Sequence, residues 1–221
     1  MSDNKIIFSD HDEGLGQVGG GAFLEDSALW PKAPDSGEPM TPLMTLTERF
    51  LPVKFVPEGM ALTVFIVVRQ QAGHFNRATQ RHYTVNQNSE LGTACKSGYA
   101  RVVLHTLSER ALWPTPGTPL LPRKFINFQA MSEEEVDEEL EDEDSGIELS
   151  KPLGRPSWLQ DPIHGSARHV FLMQLLEADI VAWSPEHEGL FAEGIGYVYL
   201  DKQARRGKQG DEGGYFFIQF T

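Results

Sequence analysis

The sequence predicts an α+β fold dominated by strands, with mostly antiparallel sheets in two halves that echo one another and few short helices. Three observations lead there. Met60 to Val68 (MALTVFIVV) is a short, bounded apolar run rich in β-branched residues, which suits a buried strand better than a helix. Residues 1–59 are crowded with glycine, proline and short polar clusters (VGGGAF, WPKAPDSGEPMTP, VPEG), which leaves no room for long helices. Near the C-terminus, Gly196 to Leu200 (GYVYL) and Tyr215 to Phe220 (YFFIQF) flank the polar, glycine-bearing stretch Asp201 to Gly214, the pattern of a hairpin.

The remaining elements follow in order. His82 to Val85 and Tyr99 to Leu107 (YARVVLHTL) are expected as strands. Leu112 to Arg123, with prolines at 114, 116, 119 and 122, is expected as an extended connection, and Phe125 to Phe128 as a segment pairing at a sheet edge. A further apolar run, Val170 to Leu176, supplies another strand. VGGGAFLED (Val18 to Asp26) and LGRPSWLQD (Leu153 to Asp161) share a glycine, an aromatic, a leucine and the final aspartate. Each precedes a leucine-methionine step, Leu43-Met44 and Leu172-Met173, and then a strand-like run. The domain reading is an N-terminal half, 1–131, an acidic linker, 132–150, and a C-terminal half, 151–221, in one compact domain.

Charge is concentrated in that linker. The chain has 221 residues and a net charge of −13, yet ten of its acids lie in EEEVDEELEDED (Glu133 to Asp144). Without them 22 acids face 19 bases, a net −3, so the acidity belongs to a segment that is expected to be solvated. Val136 and Leu140 are four apart and offer one helical turn that docks. The single cysteine, Cys95, excludes an intramolecular disulfide and a thiolate zinc site. The first residues lack a signal-peptide pattern and no apolar run approaches the roughly 18 residues of a membrane span, so a cytoplasmic protein without membrane contact is expected.

Motifs of chemistry are weak. Gly14, Gly16 and Gly19 spell G-x-G-x-x-G, but a dinucleotide site needs a strand directly before and a helix directly after, and neither is present. The histidines fit no zinc spacing, and Cys95 and Ser97 have no nucleophile context, so no metal, cofactor or catalytic nucleophile is expected. Lys202, Arg205, Arg206 and Lys208 form a basic cluster too small, and too poor in aromatics, for a nucleic-acid groove. Asp26, Asp161 and Asp211 sit in glycine- or aromatic-rich loops, as acid-base pairs often do, although capping turns is the commoner use of such aspartates.

Four segments together carry a resemblance: VGGGAF (Val18 to Phe23), LWPKAPDSGEPMTPLMTL (Leu29 to Leu46), RPSWLQDP (Arg155 to Pro162) and GDEGGYFFIQF (Gly210 to Phe220). In this order they resemble the YwqG-like family, a bacterial group, and the pattern is similar to the domain of programmed-cell-death-2-like proteins, which are thought to act as dedicated chaperones of a ribosomal protein. Those proteins carry cysteines between the tryptophan and the Pro-Met step, whereas PKAPDSGE has none. The resemblance implies a strand-dominated fold with two related halves, and no catalytic residues.

The expected role is therefore a cytoplasmic protein-binding module rather than an enzyme, an immunity or antitoxin-type protein or a client-specific chaperone, with a basic protein partner. The expected contact residues are Glu133, Glu134, Glu135, Asp137, Glu138 and Glu139, with Asp161 and exposed rings at Trp30 and Trp158. The alternative is a hydrolase that uses Asp26, Asp161 or Asp211 in a cleft between the halves.

Overall fold

A computed structural model describes residues 3–112 and 121–221, and most of the proline-rich connection expected at 112–123 lies outside the described residues. The strands are β1 (Asn4–Ser9), β2 (Gly16–Val18), β3 (Ala22–Leu24), β4 (Thr41–Thr47), β5 (Met60–Ile66), β6 (Gln70–Gln71), β7 (His74–Phe75), β8 (Ala100–Leu112), β9 (Lys124–Ala130), β10 (Lys151–Pro152), β11 (His169–Leu176), β12 (Ile195–Asp201) and β13 (Glu212–Gln219). Four short helices join them among the described residues: α1 (Arg77–Gln80), α2 (Leu91–Ser97), α3 (Glu133–Glu141) and α4 (Glu177–Val181). The chain is strand-dominated and antiparallel, as its sequence predicts. One sheet runs β1-β9-β2-β4-β5-β8-β13-β12-β11-β10, with β3 branching onto β8. Its two ends meet, because the Ile6 N–H of β1 donates to the Ser150 carbonyl beside β10 at 2.7 Å.

The echo between the halves is repeated in strand register. In β4 and β5, Thr41, Pro42, Met44, Thr45, Leu46 and Thr47 face Ile66, Phe65, Val64, Thr63, Leu62 and Ala61, with Leu43 bulged. In β11 and β12, Val170, Phe171, Met173, Gln174, Leu175 and Leu176 face Leu200, Tyr199, Val198, Tyr197, Gly196 and Ile195, with Leu172 bulged. The next ladders match as well: Ala61 to Ile66 face His105 to Ala100 just as Ile195 to Leu200 face Gln219 to Gly214. Each bulge frees a carbonyl. That of Leu43 accepts from Gly19 N–H at 2.8 Å and that of Leu172 from Leu153 N–H at 2.9 Å. Both donors lie in left-handed turns, Gly19-Gly20 at φ +68° and +70°, Leu153-Gly154 at φ +55° and +78°. From β2 to β10 the strand order is accordingly symmetric about β8 and β13, which join the halves, while β1 and β9 extend the N-terminal side without a counterpart.

Three expectations are corrected. His82 to Val85 is no strand: the Asn76 side chain accepts Ala78 and Thr79 N–H groups, starting a helical path that continues as a 3-10 turn over Arg81–Tyr83 and buries Tyr83. Phe125 to Phe128 is not at an edge, because β9 lies between β1 and β2 and β1 forms the border.

The third correction concerns residues 132–150, which are not a free solvated linker. Ser132 and Glu135 form a capping box, with Ser132 Oγ accepting Glu135 N–H at 3.2 Å and the Glu135 carboxylate accepting Ser132 N–H at 2.8 Å. Acids in a first helical turn also suit the positive end of the helix dipole. The docking face is Glu135 and Glu139 rather than Val136 and Leu140, and Leu140 stays 44% exposed. Lys5 Nζ meets Glu135 at 2.6 Å. Glu139 is buried against the fully buried Lys151 of β10, to which it is ion-paired, and it accepts the N–H groups of Ile147 (2.9 Å) and Arg155 (3.0 Å). An ionised carboxylate tolerates such burial only with this many partners.

Candidate binding cleft and acidic face

The N-terminal half carries a cleft of about 470 Å³. Gly14, Gly16 and Gln17 enter it from β2 and the loop before, Thr45, Thr47 and Glu48 from the end of β4, Met60 from β5, and Leu107 and Glu109 from β8, while Phe23, Arg123 and Phe125 close the sides. The glycines allow close backbone approach. Gly16 has φ +142°, and a Cβ there would lie 2.2 Å from the Thr45 carbonyl oxygen, so only glycine brings β2 this near to β4. Gly14 is held by its N–H to Asp12 Oδ1 at 2.7 Å and by its carbonyl to Thr47 Oγ1 at 2.5 Å. The G-x-G-x-x-G therefore shapes a strand junction, with Gly16 inside β2 itself.

Under the cleft lies a buried polar row. Thr45 Oγ1 and Thr63 Oγ1 are 2.8 Å apart, and Thr63 Oγ1 is 2.7 Å from His105 Nε2. His105 Nδ1 lies 2.9 Å from the Thr106 carbonyl, an atom that only accepts, so Nδ1 carries the proton and Nε2 accepts from Thr63. Thr63 then accepts from Thr45. Burial pushes the His105 pKa down, which keeps the ring neutral. The corresponding row in the C-terminal half is Gln174, Tyr197 and Gln219, whose side chains bind the backbone of residues 147–161. That segment covers the second half's own face.

The glutamates that follow β4 and β11 occupy matching places, since Thr47 and Leu176 match in register. Glu177 is buried, and its carboxylate accepts three backbone N–H groups, from Gly189 (2.6 Å), Phe191 (2.5 Å) and Glu193 (3.0 Å). Among the described residues Glu48 accepts one, from Gly59 at 2.7 Å, and lines the cleft.

The expected contact residues scatter. Trp30 is a core residue, 7% exposed, with its Nε1 donating to the Met40 carbonyl at 2.8 Å and its ring edge-on to Phe65; it is no exposed anchor. A large aromatic beside a β-sheet core simply packs there. Trp158 is half-buried, stacked on Tyr197 with centroids 5.2 Å apart, and donates to the Asp144 carbonyl at 3.0 Å. Asp161 is exposed, and its backbone joins Asn86 and Gln219. Glu133, Glu134, Asp137 and Glu138 are exposed on α3, whereas Glu135 and Glu139 are committed to lysines. The loop aspartates are not gathered. Asp26 caps the 3-10 turn Ser27–Leu29, Asp211 accepts Lys208 N–H at 2.7 Å, and the cleft holding Asp211 is lined by neither Asp26 nor Asp161.

Sequence reading missed Glu48, Arg49, Arg123 and the rings of Phe23 and Phe125. A signal was present: L-M-x-L-x-E recurs at Leu43–Glu48 and Leu172–Glu177. Among the described residues no helix is long and apolar enough to cross a membrane, and no group of three His, Cys, Asp or Glu side chains is placed to hold a metal ion.

Fold and site together define a class: a strand-rich domain of two halves in matched register, one face sealed by its own chain and the other open among the described residues. No known family model matches the chain, and no curated protein matches it.

Proposed function

We propose that the chain is a cytoplasmic protein-binding module, an immunity or antitoxin-type protein or a client-specific chaperone, whose partner is basic. The observation that carries this reading is the rigid mounting of α3. Two of its glutamates are pinned to Lys5 and Lys151, which turns Glu133, Glu134, Asp137 and Glu138 outward as a fixed acidic face. A preorganised charged face steers an oppositely charged partner and loses less entropy on binding than a mobile tail.

The test is affinity capture from native lysate at low and high salt. It compares the wild-type chain with the variant Glu133→Gln, Glu134→Gln, Asp137→Asn, Glu138→Gln, which keeps Glu135 and Glu139. A basic protein retained at low salt by the wild type and lost from the variant is expected. Capture of no basic protein, or capture that the four substitutions leave unchanged, overturns the reading.

A further inference from the structure

We propose that the cleft of the N-terminal half is a docking site for a peptide turn of a partner protein, whose alternate backbone N–H groups bind Glu48 and whose apolar side chain enters the cleft. The matched halves show what such a site holds when it is filled. In the C-terminal half the connection between β11 and β12, residues 177–194, is six residues longer than its counterpart between β4 and β5, residues 48–59. The extra length folds back over Glu177. Gly189, Phe191 and Glu193 give their N–H groups to the carboxylate, Leu190 and Phe191 are fully buried, and the turn's carbonyls are held by Gln80 and Arg77. Gln80 Nε2 donates to Gly189 O and Leu190 O at 2.6 and 2.9 Å, and Arg77 to Ala192 O at 3.2 Å.

The N-terminal half keeps the receptor, and among the described residues no such turn covers it. Glu48 binds one N–H, and its second oxygen has no hydrogen-bond donor among the described residues. Around it the half-buried Met60 and the 41% exposed Leu107 offer the apolar surface, and Arg49 and Arg123 are guanidinium donors like the Arg77 that holds the Ala192 carbonyl of the other turn. A carboxylate binding several backbone N–H groups of one turn is selective for main chain in that turn, and the apolar pocket then selects its side chain. This inference rests on the reading of the chain as a protein-binding module, but it uses a different surface from α3.

The probe is a fluorescently labelled peptide of residues 188–194, the segment that serves Glu177, carrying Glu188→Gln and Glu193→Gln so that its charge does not oppose binding. Its anisotropy is titrated with the full chain. Saturable binding is expected, weakened roughly tenfold or more by Glu48→Ala through loss of charge-assisted hydrogen bonds. Leu107→Arg at the exposed wall should weaken it similarly, which covers the case in which Glu48→Ala disturbs folding. The α3 variant should bind the peptide as the wild type does. Absence of saturable binding, or binding indifferent to both cleft substitutions, overturns the site. So does self-association of the chain that Leu107→Arg abolishes, since it makes a second copy the occupant. Peptide binding lost only in the α3 variant also overturns it while leaving the protein-binding reading in place.

Discussion

Replacing Glu139 by alanine should be among the most damaging single changes in the acidic stretch, although ten acids lie within twelve residues there. Glu139 is 5% exposed and Lys151 is 0% exposed, so the substitution leaves an ammonium buried without its counter-charge. It also strips the acceptor from Ile147 N–H, which is buried, and from Arg155 N–H, which is partly so. Removing one partner of a buried ion pair costs about 3–5 kcal/mol, a large share of the roughly 5–15 kcal/mol that holds a typical domain folded. Burial already presses the Lys151 pKa down, and the variant removes Glu139, the main influence that opposes it, so part of the cost is relieved as the lysine gives up its proton. With a urea slope of about 2–3 kcal/mol per molar for a chain of this size, the midpoint should fall by roughly 1–2 M. Glu134→Ala, on the exposed side of the same helix, should change stability by no more than about 0.5 kcal/mol. The double variant Glu139→Gln, Lys151→Met should regain most of the loss, because it buries no charge and keeps an amide oxygen for one N–H. Equal midpoints for Glu139→Ala and Glu134→Ala in urea denaturation would refute the buried pair and return the segment to a free linker.

Gly16→Ala should cost at least about 2 kcal/mol, because φ +142° and a backbone oxygen 2.2 Å from the new Cβ leave it no room, while Gly37→Ala, with nothing within 4 Å, should cost about 1 kcal/mol; denaturation midpoints compare them. His105 has a folded pKa below its ordinary 6.5, so above that pH both states are neutral and stability is unaffected. Below it the unfolded chain takes up a proton that the fold refuses, and stability falls by at most about 1.4 kcal/mol per pH unit until the folded pKa is reached. His105→Gln should flatten that portion of the stability profile between pH 6.5 and 5; an unchanged slope would count against a neutral buried ring. Trp30→Phe should cost about 1–2 kcal/mol by orphaning the Met40 carbonyl, with a matching drop in thermal stability, because this ring belongs to the core.

How much was legible follows from the range of the interactions involved. Strands β5, β11, β12 and β13 announced themselves through local composition, since a run such as MALTVFI needs only to be apolar, β-branched and bounded. His82 to Val85 misled because a four-residue apolar alternation is too short to outweigh the Asn76 cap upstream, which commits the backbone to helical turns. Phe125 to Phe128 was recognised as a strand but misplaced, because the neighbour that covers its outer side, β1, is more than a hundred residues away in sequence. The glycines of G-x-G-x-x-G lie at a strand junction, with Gly16 inside β2. Their purpose, the approach of Gly16 to Thr45, depends on a ladder that no local window contains.

The acidic stretch shows why charge counting alone misreads a segment. Solvation is the default for a block of carboxylates because each lone charge costs several kcal/mol to bury. That default yields when a cation and two N–H donors are delivered to the same spot, and here Lys151, Ile147 and Arg155 are all within 16 residues of Glu139. The lysine was visible, but its burial was not, because burial follows from β10 pairing with β11 and from Gly146 and Gly154 packing on the ion pair. The same logic separates the two matched glutamates. Glu48 and Glu177 are equivalent in the repeated pattern, and what distinguishes a sealed structural carboxylate from one that faces an open cleft is the length of the connection that follows it. In a protein built from two halves in matched register, the place where one half lacks what the other supplies is where an outside partner has room to bind.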